Sequence, residues 1–207
     1  MPSADRPPVP RAGLNTDRVV AEAADLADGV GLDQLTLAAL AARLGVRQPS
    51  LYNHVASLDA LRRLLSMRGK AELADVLGHA AIGRARDDAL IAMAYAWRAW
   101  ALDHPGRYQA AQLGAAPGDA EHEVASRRTV EVVAAVMDGY GLDGDDATDA
   151  IRAYRAALHG FVSLEASGGF AFPRSVDRSF DRLVHALVLA LSSWSNVSGP
   201  GREVPAR

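Results

Sequence analysis

The sequence predicts an all-α protein of about nine helices, with a three-helix N-terminal helix-turn-helix domain followed by a helical bundle. Three observations carry this expectation. Apolar residues recur at steps of three and four along most of the chain, no stretch alternates with the period of a strand, and glycine or proline punctuates the periodic runs. The divisions expected are a disordered arm over 1–13, the helix-turn-helix unit over 14–56, the bundle over 57–196 and a disordered tail over 197–207.

The first helix begins near Thr16 and Asp17, carries an apolar stripe of Val19, Ala23, Leu26, Ala27 and Val30, and ends at Gly29 and Gly31. After a loop holding the apolar Leu32, residues 36–65 read TLAALAARLGVRQPSLYNHVASLDALRRLL, two short helices joined by a glycine turn and followed by a long helix. Thr36 caps the first of these through its hydroxyl, and Leu37, Leu40, Ala41 and Leu44 form its buried stripe. Gly45 supplies the left-handed C-cap that other residues resist, and Val46 tucks between the two helices. Gln48, Pro49 and Ser50 open the second helix, with proline in the first turn where no N–H is needed. Leu51 and Val55, four apart, point to the core, leaving Arg47, Gln48, Ser50, Tyr52, Asn53 and His54 facing outward.

A short helix with so many hydrogen-bonding side chains, set after a tight turn, fits the major groove of B-DNA. Two short helices with a glycine turn also occur as ordinary packing units, so the residues alone leave that alternative open. Arg and Gln can read base edges bidentately, whereas hydroxyl and imidazole donors hold the backbone without carrying much sequence information. The net charge of −3 is unevenly placed: nine Lys or Arg face seven Asp or Glu over residues 1–70, against 13 and 18 over 71–207. The asymmetry favours a nucleic-acid partner at the N-terminal end, through specific contacts more than a broad basic surface.

Beyond residue 56 one helix follows another. Leu58, Leu61, Leu64, Leu65, Leu73 and Leu77 mark a connecting helix over 57–79, Gly83 breaks the chain, and a helix over 87–103 carries Met93, Tyr95, Trp97 and Trp100 before Pro105 and Gly106 stop it. The candidates for an apolar ligand pocket are Trp97, Trp100, His104, Tyr108, Met137, Tyr140, Tyr154 and His159. Aromatics at helical spacing fit plain core equally, and His104 before Pro-Gly also fits a helix-end cap.

In the helix over 145–167, Ala150, Ala153, Ala157, Gly160 and Leu164 form a stripe of mostly small residues that admits a close partner helix, opposite Ile151, Tyr154, Leu158 and Val162. The last helix, over 176–195, carries Phe180, Leu183, Val184, Leu187, Leu191 and Trp194. A two-fold dimer is expected through Ala153, Ala157, Gly160, Leu164, Phe180, Val184, Leu187 and Leu191; packing of the same faces within one chain is the alternative.

Composition bounds the function. There is no run of 18 uncharged apolar residues, so no transmembrane span is expected, and the absence of cysteine excludes disulfides and Cys-ligated zinc and fits a cytoplasmic location. The opening MPSADRPPVPRA lacks an apolar core and reads as a basic arm, not a signal peptide. Arginine outnumbers lysine 21 to 1, a bias that fits a GC-rich coding sequence. The histidines at 54, 79, 104, 122, 159 and 185 form no metal-ligand spacing, and His122 between Glu121 and Glu123 reads as solvated charge at a helix start. With no phosphate loop or nucleophile elbow either, the sequence predicts no enzyme, no cofactor and no metal.

The order of a fourteen-residue helix, a loop, LTLAALAARLGV and LYNHV resembles the N-terminal domain of TetR-family transcriptional regulators, most closely at Leu51-Tyr52-x-His54. The resemblance implies that Arg47, Gln48, Pro49, Ser50 and Asn53 meet base edges while Thr36, Tyr52 and His54 hold phosphate. Two positions depart from the pattern. Arg47 stands where a Ser or Thr commonly caps the recognition helix, and Ser57-Leu58-Asp59 lacks the usual lysine, leaving Arg62 and Arg63 as substitutes. The segments AYAWRAWALDHPGRYQAA and AYRAALHGFVSLEASGGF resemble the WHG-type effector domain of one TetR subgroup, with Trp100, His104 and either Gly106 or Gly160 at the matching positions. The function so implied is a ligand-responsive regulator, a repressor that binds a palindromic operator as a homodimer and is released by a small, largely apolar effector. The alternative is a helical homodimeric interaction module without sequence-specific DNA binding.

Overall fold

The computed structural model describes residues 13–194; the arm expected over 1–13, apart from Gly13, and the tail expected over 197–207 lie outside the described residues. Among the described residues nine α-helices follow one another: α1 (Thr16–Val30), α2 (Leu37–Leu44), α3 (Gln48–Leu51), α4 (Leu58–Ala81), α5 (Arg86–Asp103), α6 (Pro105–Ala111), α7 (Ala120–Met137), α8 (Gly144–Ala166) and α9 (Val176–Ser192), with short 3-10 turns at Leu32–Gln34 and Asp138–Tyr140. Among the described residues there is no strand, and no helix is long and apolar enough to cross a membrane.

Local chemistry explains the early boundaries. The Asn15 side chain accepts from the Arg18 N–H at 2.8 Å, Thr36 Oγ1 from Ala39 N–H at 3.1 Å and Ser57 Oγ from Ala60 N–H at 3.0 Å, so α1, α2 and α4 each start on a side-chain cap. Gly45 ends α2 at φ 67, and its N–H and that of Val46 close the turn on Ala42 and Ala41. Val30, expected in the apolar stripe of α1, is instead exposed, because the buried face ends at Ala27.

Two apolar cores result. Val19, Ala23, Leu35, Leu40, Leu51, Val55, Leu61 and Leu65 build the N-terminal one; Leu73, Leu77, Leu90, Met93, Tyr154, Leu158 and Phe180 belong to the second. Helix α4 therefore serves both, its early turns in the first core and its later turns in the second. Phe180, Val184 and Leu191, expected at a subunit interface, are buried in the chain's own second core, so the intrachain packing holds for these three. Arg98 of α5 fastens α8 and α9 through Glu165 at 2.7 Å and Asp177 at 2.7 Å, with Phe180 beneath its guanidinium at 4.8 Å.

The cores are joined at glycine. A Cβ on Gly106, in the first turn of α6, would lie 2.2 Å from the carbonyl carbon and oxygen of Ala27 in α1, and one on Gly69 of α4 would lie 2.7 Å from the Arg107 carbonyl oxygen. These backbones touch where no side chain fits. Gly160, the other glycine considered at the WHG position, meets nothing within 4 Å in the chain, so steric need singles out Gly106. Gly106→Ala should destabilise by about 1–3 kcal/mol in urea unfolding, as overpacking does. Gly78→Ala, in open space on α4, should instead raise stability by about 0.5–1 kcal/mol, the ordinary helix-propensity gain.

Candidate DNA interface and effector cavity

Helix α3 is a single turn, shorter than the periodicity from 48 to 55 suggests, and the chain continues through Tyr52, Asn53 and His54 as turns before Val55 returns to the core. Leu51 and Val55 are buried, which fixes the direction in which the intervening side chains project. Arg47, Gln48, Pro49 and Asn53 are exposed, Tyr52 is 51% exposed, and Ser50 and His54 are half-buried. Arg47 makes no side-chain cap; the turn is instead closed by the Ser50 N–H on its carbonyl at 2.9 Å, leaving the guanidinium outward. Thr36, at the start of α2, is exposed and accepts one hydrogen bond as a cap, so its hydroxyl proton is still available to an anion. All eight residues expected to contact DNA thus fall on one stretch around α3 and the start of α2.

Arg63 departs from expectation. Its guanidinium is held by Asp119 at 2.6 Å and Glu121 at 2.9 Å, which ties α4 to the start of α7 instead of offering a phosphate contact. That partnership holds the Asp119 carboxyl down at about 2.

Helix α6 links the DNA unit to the bundle. Asp28 at the end of α1 accepts from the Arg107 backbone N–H at 2.8 Å, lies 3.2 Å from Arg107 Nε and 3.3 Å from His104 Nδ1, and Asp25 also pairs with Arg107. Gln109 of α6 accepts from the Leu32 N–H at 3.2 Å. Charge-assisted bonds thus clamp the N-terminal end of α6 to α1. Its other end, Ala111 and Gln112, forms part of a cavity.

That cavity, of about 150 Å³, lies between α4, α5, α7 and α8, with an apolar wall of Leu73, Trp97, Val130, Val133 and Ile151 and polar groups from Lys70, Gln112, Ser126, Thr129 and Arg155. Of the pocket candidates, Trp97 and Tyr154 line it, and the Tyr154 hydroxyl is already committed to the Leu90 carbonyl at 2.7 Å. Tyr108 and His159 stand behind the wall: Trp97 Nε1 donates to the Tyr108 hydroxyl at 3.2 Å, and that oxygen is 2.8 Å from His159 Nδ1. The remaining four are not on the wall. Met137 is fully buried core, the Tyr140 hydroxyl donates to Asp87 at 2.6 Å, and Trp100 packs against His104 at 5.8 Å beside the α1 clamp. Their helical spacing put them on inward faces, but on faces that pack against other helices.

His122 is buried, contrary to the solvated role expected, with Nε2 2.8 Å from Ser66 Oγ and 2.7 Å from Lys70 Nζ. Burial, and then the Lys70 charge, push it below the ordinary histidine value.

Against known proteins, residues 90–187 match the family model described as the tetracyclin repressor-like C-terminal domain. The chain is 44% identical over 158 residues to the uncharacterized HTH-type transcriptional regulator Rv0681 of Mycobacterium tuberculosis, covering 76% of this chain and 72% of that one. It is 37% identical over 163 residues to the HTH-type regulator YobS of Bacillus subtilis, covering 78% and 84%. The chain belongs to the TetR family of transcriptional regulators. A TetR variant from Acinetobacter baumannii AYE, solved in complex with minocycline, matches with a TM-score of 0.67 at 25% identity over 91% of this chain and 100% of that one. The protein is accordingly a DNA-binding regulator and not an enzyme.

His122 gives this TetR-family chain a pH signature. Its folded form is held neutral, so below the ordinary value of about 6.5 the unfolded state takes up a proton first, and stability falls as pH drops through that window. Thermal melts between pH 8 and 5 should show a smaller loss for His122→Gln than for the parent; parallel losses would exclude His122 as the source.

Proposed function

We propose that the protein is a homodimeric repressor whose two α3 regions read a near-palindromic operator and whose cavity takes a small, mainly apolar effector that releases it. The observation that carries the DNA assignment is the outward row of Arg47, Gln48, Tyr52 and Asn53 over the buried anchors Leu51 and Val55. In this reading Arg47, Gln48, Pro49, Ser50 and Asn53 meet base edges, and Thr36, Tyr52 and His54 hold phosphate. The functional divisions are 14–56 for DNA and 57–196 for effector and partner.

TetR-family regulators typically act as dimers, and the outer faces of α8 and α9 support the same assembly here. Leu164 and Leu189 are 51% and 71% exposed, with Ala156, Ala186 and Ala190 exposed beside them and Ala153, Ala157, Gly160 and Leu187 half-buried. Large apolar side chains among small ones suit a second copy of the same two helices. A dimer would set the two α3 regions on successive major grooves about 34–36 Å apart.

The effector route runs through α6. A ligand against Ala111 and Gln112 pushes one end of a helix whose other end is fixed to α1 by Gly106, Arg107 and His104. Release requires that the ligand prefer the posture that cannot span the operator, and a preference of about 3 kcal/mol corresponds to roughly a hundredfold loss of DNA affinity.

Selection of duplexes from random DNA by the full-length protein tests the reading, with binding of the selected sequence followed against salt; a palindrome bound by dimers is expected, and absence of enrichment at low salt would favour the interaction module. On the selected operator, Tyr52→Ala should weaken binding to all sequences alike, whereas Gln48→Ala and Asn53→Ala should each cost about 1–3 kcal/mol and relax preference at particular bases. Leu189→Arg should yield monomers in sedimentation and lower operator affinity at least tenfold; dimers that still bind normally would place the interface elsewhere.

A further inference from the structure

The cavity's polar wall holds two cations and no acid. Lys70 is the single lysine of the chain and is 8% exposed. Its Nζ lies 2.6 Å from the Leu113 carbonyl, 3.0 Å from Ser126 Oγ and 2.7 Å from His122 Nε2. Three acceptors for three N–H groups hold the nitrogen as an ammonium, with no lone pair free to condense with a carbonyl. All three acceptors are neutral groups. Arg155 shares the cavity from α8, with Gln112 Oε1 as its 3.3 Å partner. Among the described residues neither cation has a carboxylate within 4 Å, whereas the half-buried Arg63, Arg68, Arg98 and Arg107 are each paired with Asp or Glu.

We propose that the effector is an apolar monocarboxylate whose head group sits between Lys70 and Arg155 and whose body lies on Leu73, Trp97, Val133 and Ile151. This rests on the reading of the cavity as the effector site. A desolvated ammonium without a counter-ion is costly, and an anion entering the cavity removes that cost; a neutral ligand leaves it in place and a cationic one adds to it. Burial, and then the charge of Arg155, lower Lys70 from its ordinary value, the direction expected for a cationic site awaiting an anion. The neighbours of Lys70 fit a release device as well. Leu113 directly follows the α6 segment, and Ser126 and His122 belong to α7, so a carboxylate that draws the ammonium toward itself loosens bonds to the α6–α7 connection.

The test pairs each acid with its own amide, which keeps shape and removes charge. Octanoate and octanamide, and 4-butylbenzoate and 4-butylbenzamide, are titrated into the full-length protein, with intrinsic tryptophan fluorescence and calorimetry as readouts. Each acid is expected to bind at least tenfold more tightly than its amide. Lys70→Met and Arg155→Gln should each bring that ratio below about threefold while amide binding persists. Arg155 is exposed, so its variant decides the matter even where Lys70→Met fails to fold. Equal binding of acid and amide, or a ratio unchanged in the folded variants, overturns the carboxylate assignment and leaves the cavity as an effector site. No binding by any of the four overturns the effector-site reading itself.

Discussion

The structure depends on one close contact, the seating of Gly106 against the backbone of Ala27. A DNA-reading unit whose core runs along the chain to Leu61 and Leu65 and is closed by Ala110 of α6 needs a fixed posture relative to the bundle, and α4 alone is a single rod. The second attachment is α6, which approaches α1 so closely that only hydrogen fits at residue 106, and which is then held by Asp28 and Asp25 on Arg107. Gly69 performs the same service between α4 and α6. The three backbones at this junction are locked by van der Waals contact first and by charge second, a combination that permits two discrete packings more readily than a continuous drift.

Much of the N-terminal unit was legible because its instructions are local. The cap at Thr36, the left-handed Gly45 and the four-residue step from Leu51 to Val55 each act within one turn, and each sits where the sequence places it; the Ser57 cap on α4 was not read. The length of α3 was not legible. The pattern continues to Val55, yet the regular helix ends at Leu51; Tyr52 keeps right-handed helical dihedrals and the Val55 N–H still bonds the Leu51 carbonyl at 2.9 Å, so the two apolar anchors are buried by a turn as well as by a full helix.

The bundle was less transparent, since its cavity is assembled from residues far apart in sequence. Spacing shows which side of a helix is buried, not whether the neighbour there is another helix or empty space. Met137 and Tyr140 therefore looked as suitable as Trp97, and Phe180, Val184 and Leu191 looked like a subunit interface when they are core. Lys70, Gln112, Ser126, Thr129 and Arg155 were missed altogether. A signal for one of them was present: a single lysine among 21 arginines, within a leucine-rich helix, marks a position where a compact ammonium is needed. His122 was misplaced because its flanking glutamates point to solvent while the imidazole itself turns into the core.

The two functional surfaces carry opposite demands on the same short helix. In the proposed function, α6 is rigid enough at its start to report to α1 and yields at its end to an effector beside Ala111. A double-mutant cycle on operator affinity shows whether the two ends of α6 act as one device. Ala111→Phe fills the cavity from α6, and Asp28→Asn weakens the clamp to α1, at sites remote from the DNA-facing residues. If α6 transmits, the effect of Ala111→Phe on DNA binding is largely lost when Asp28→Asn is also present, a coupling of at least about 1 kcal/mol. Independent, additive effects would show that the cavity and the operator communicate by another route or not at all.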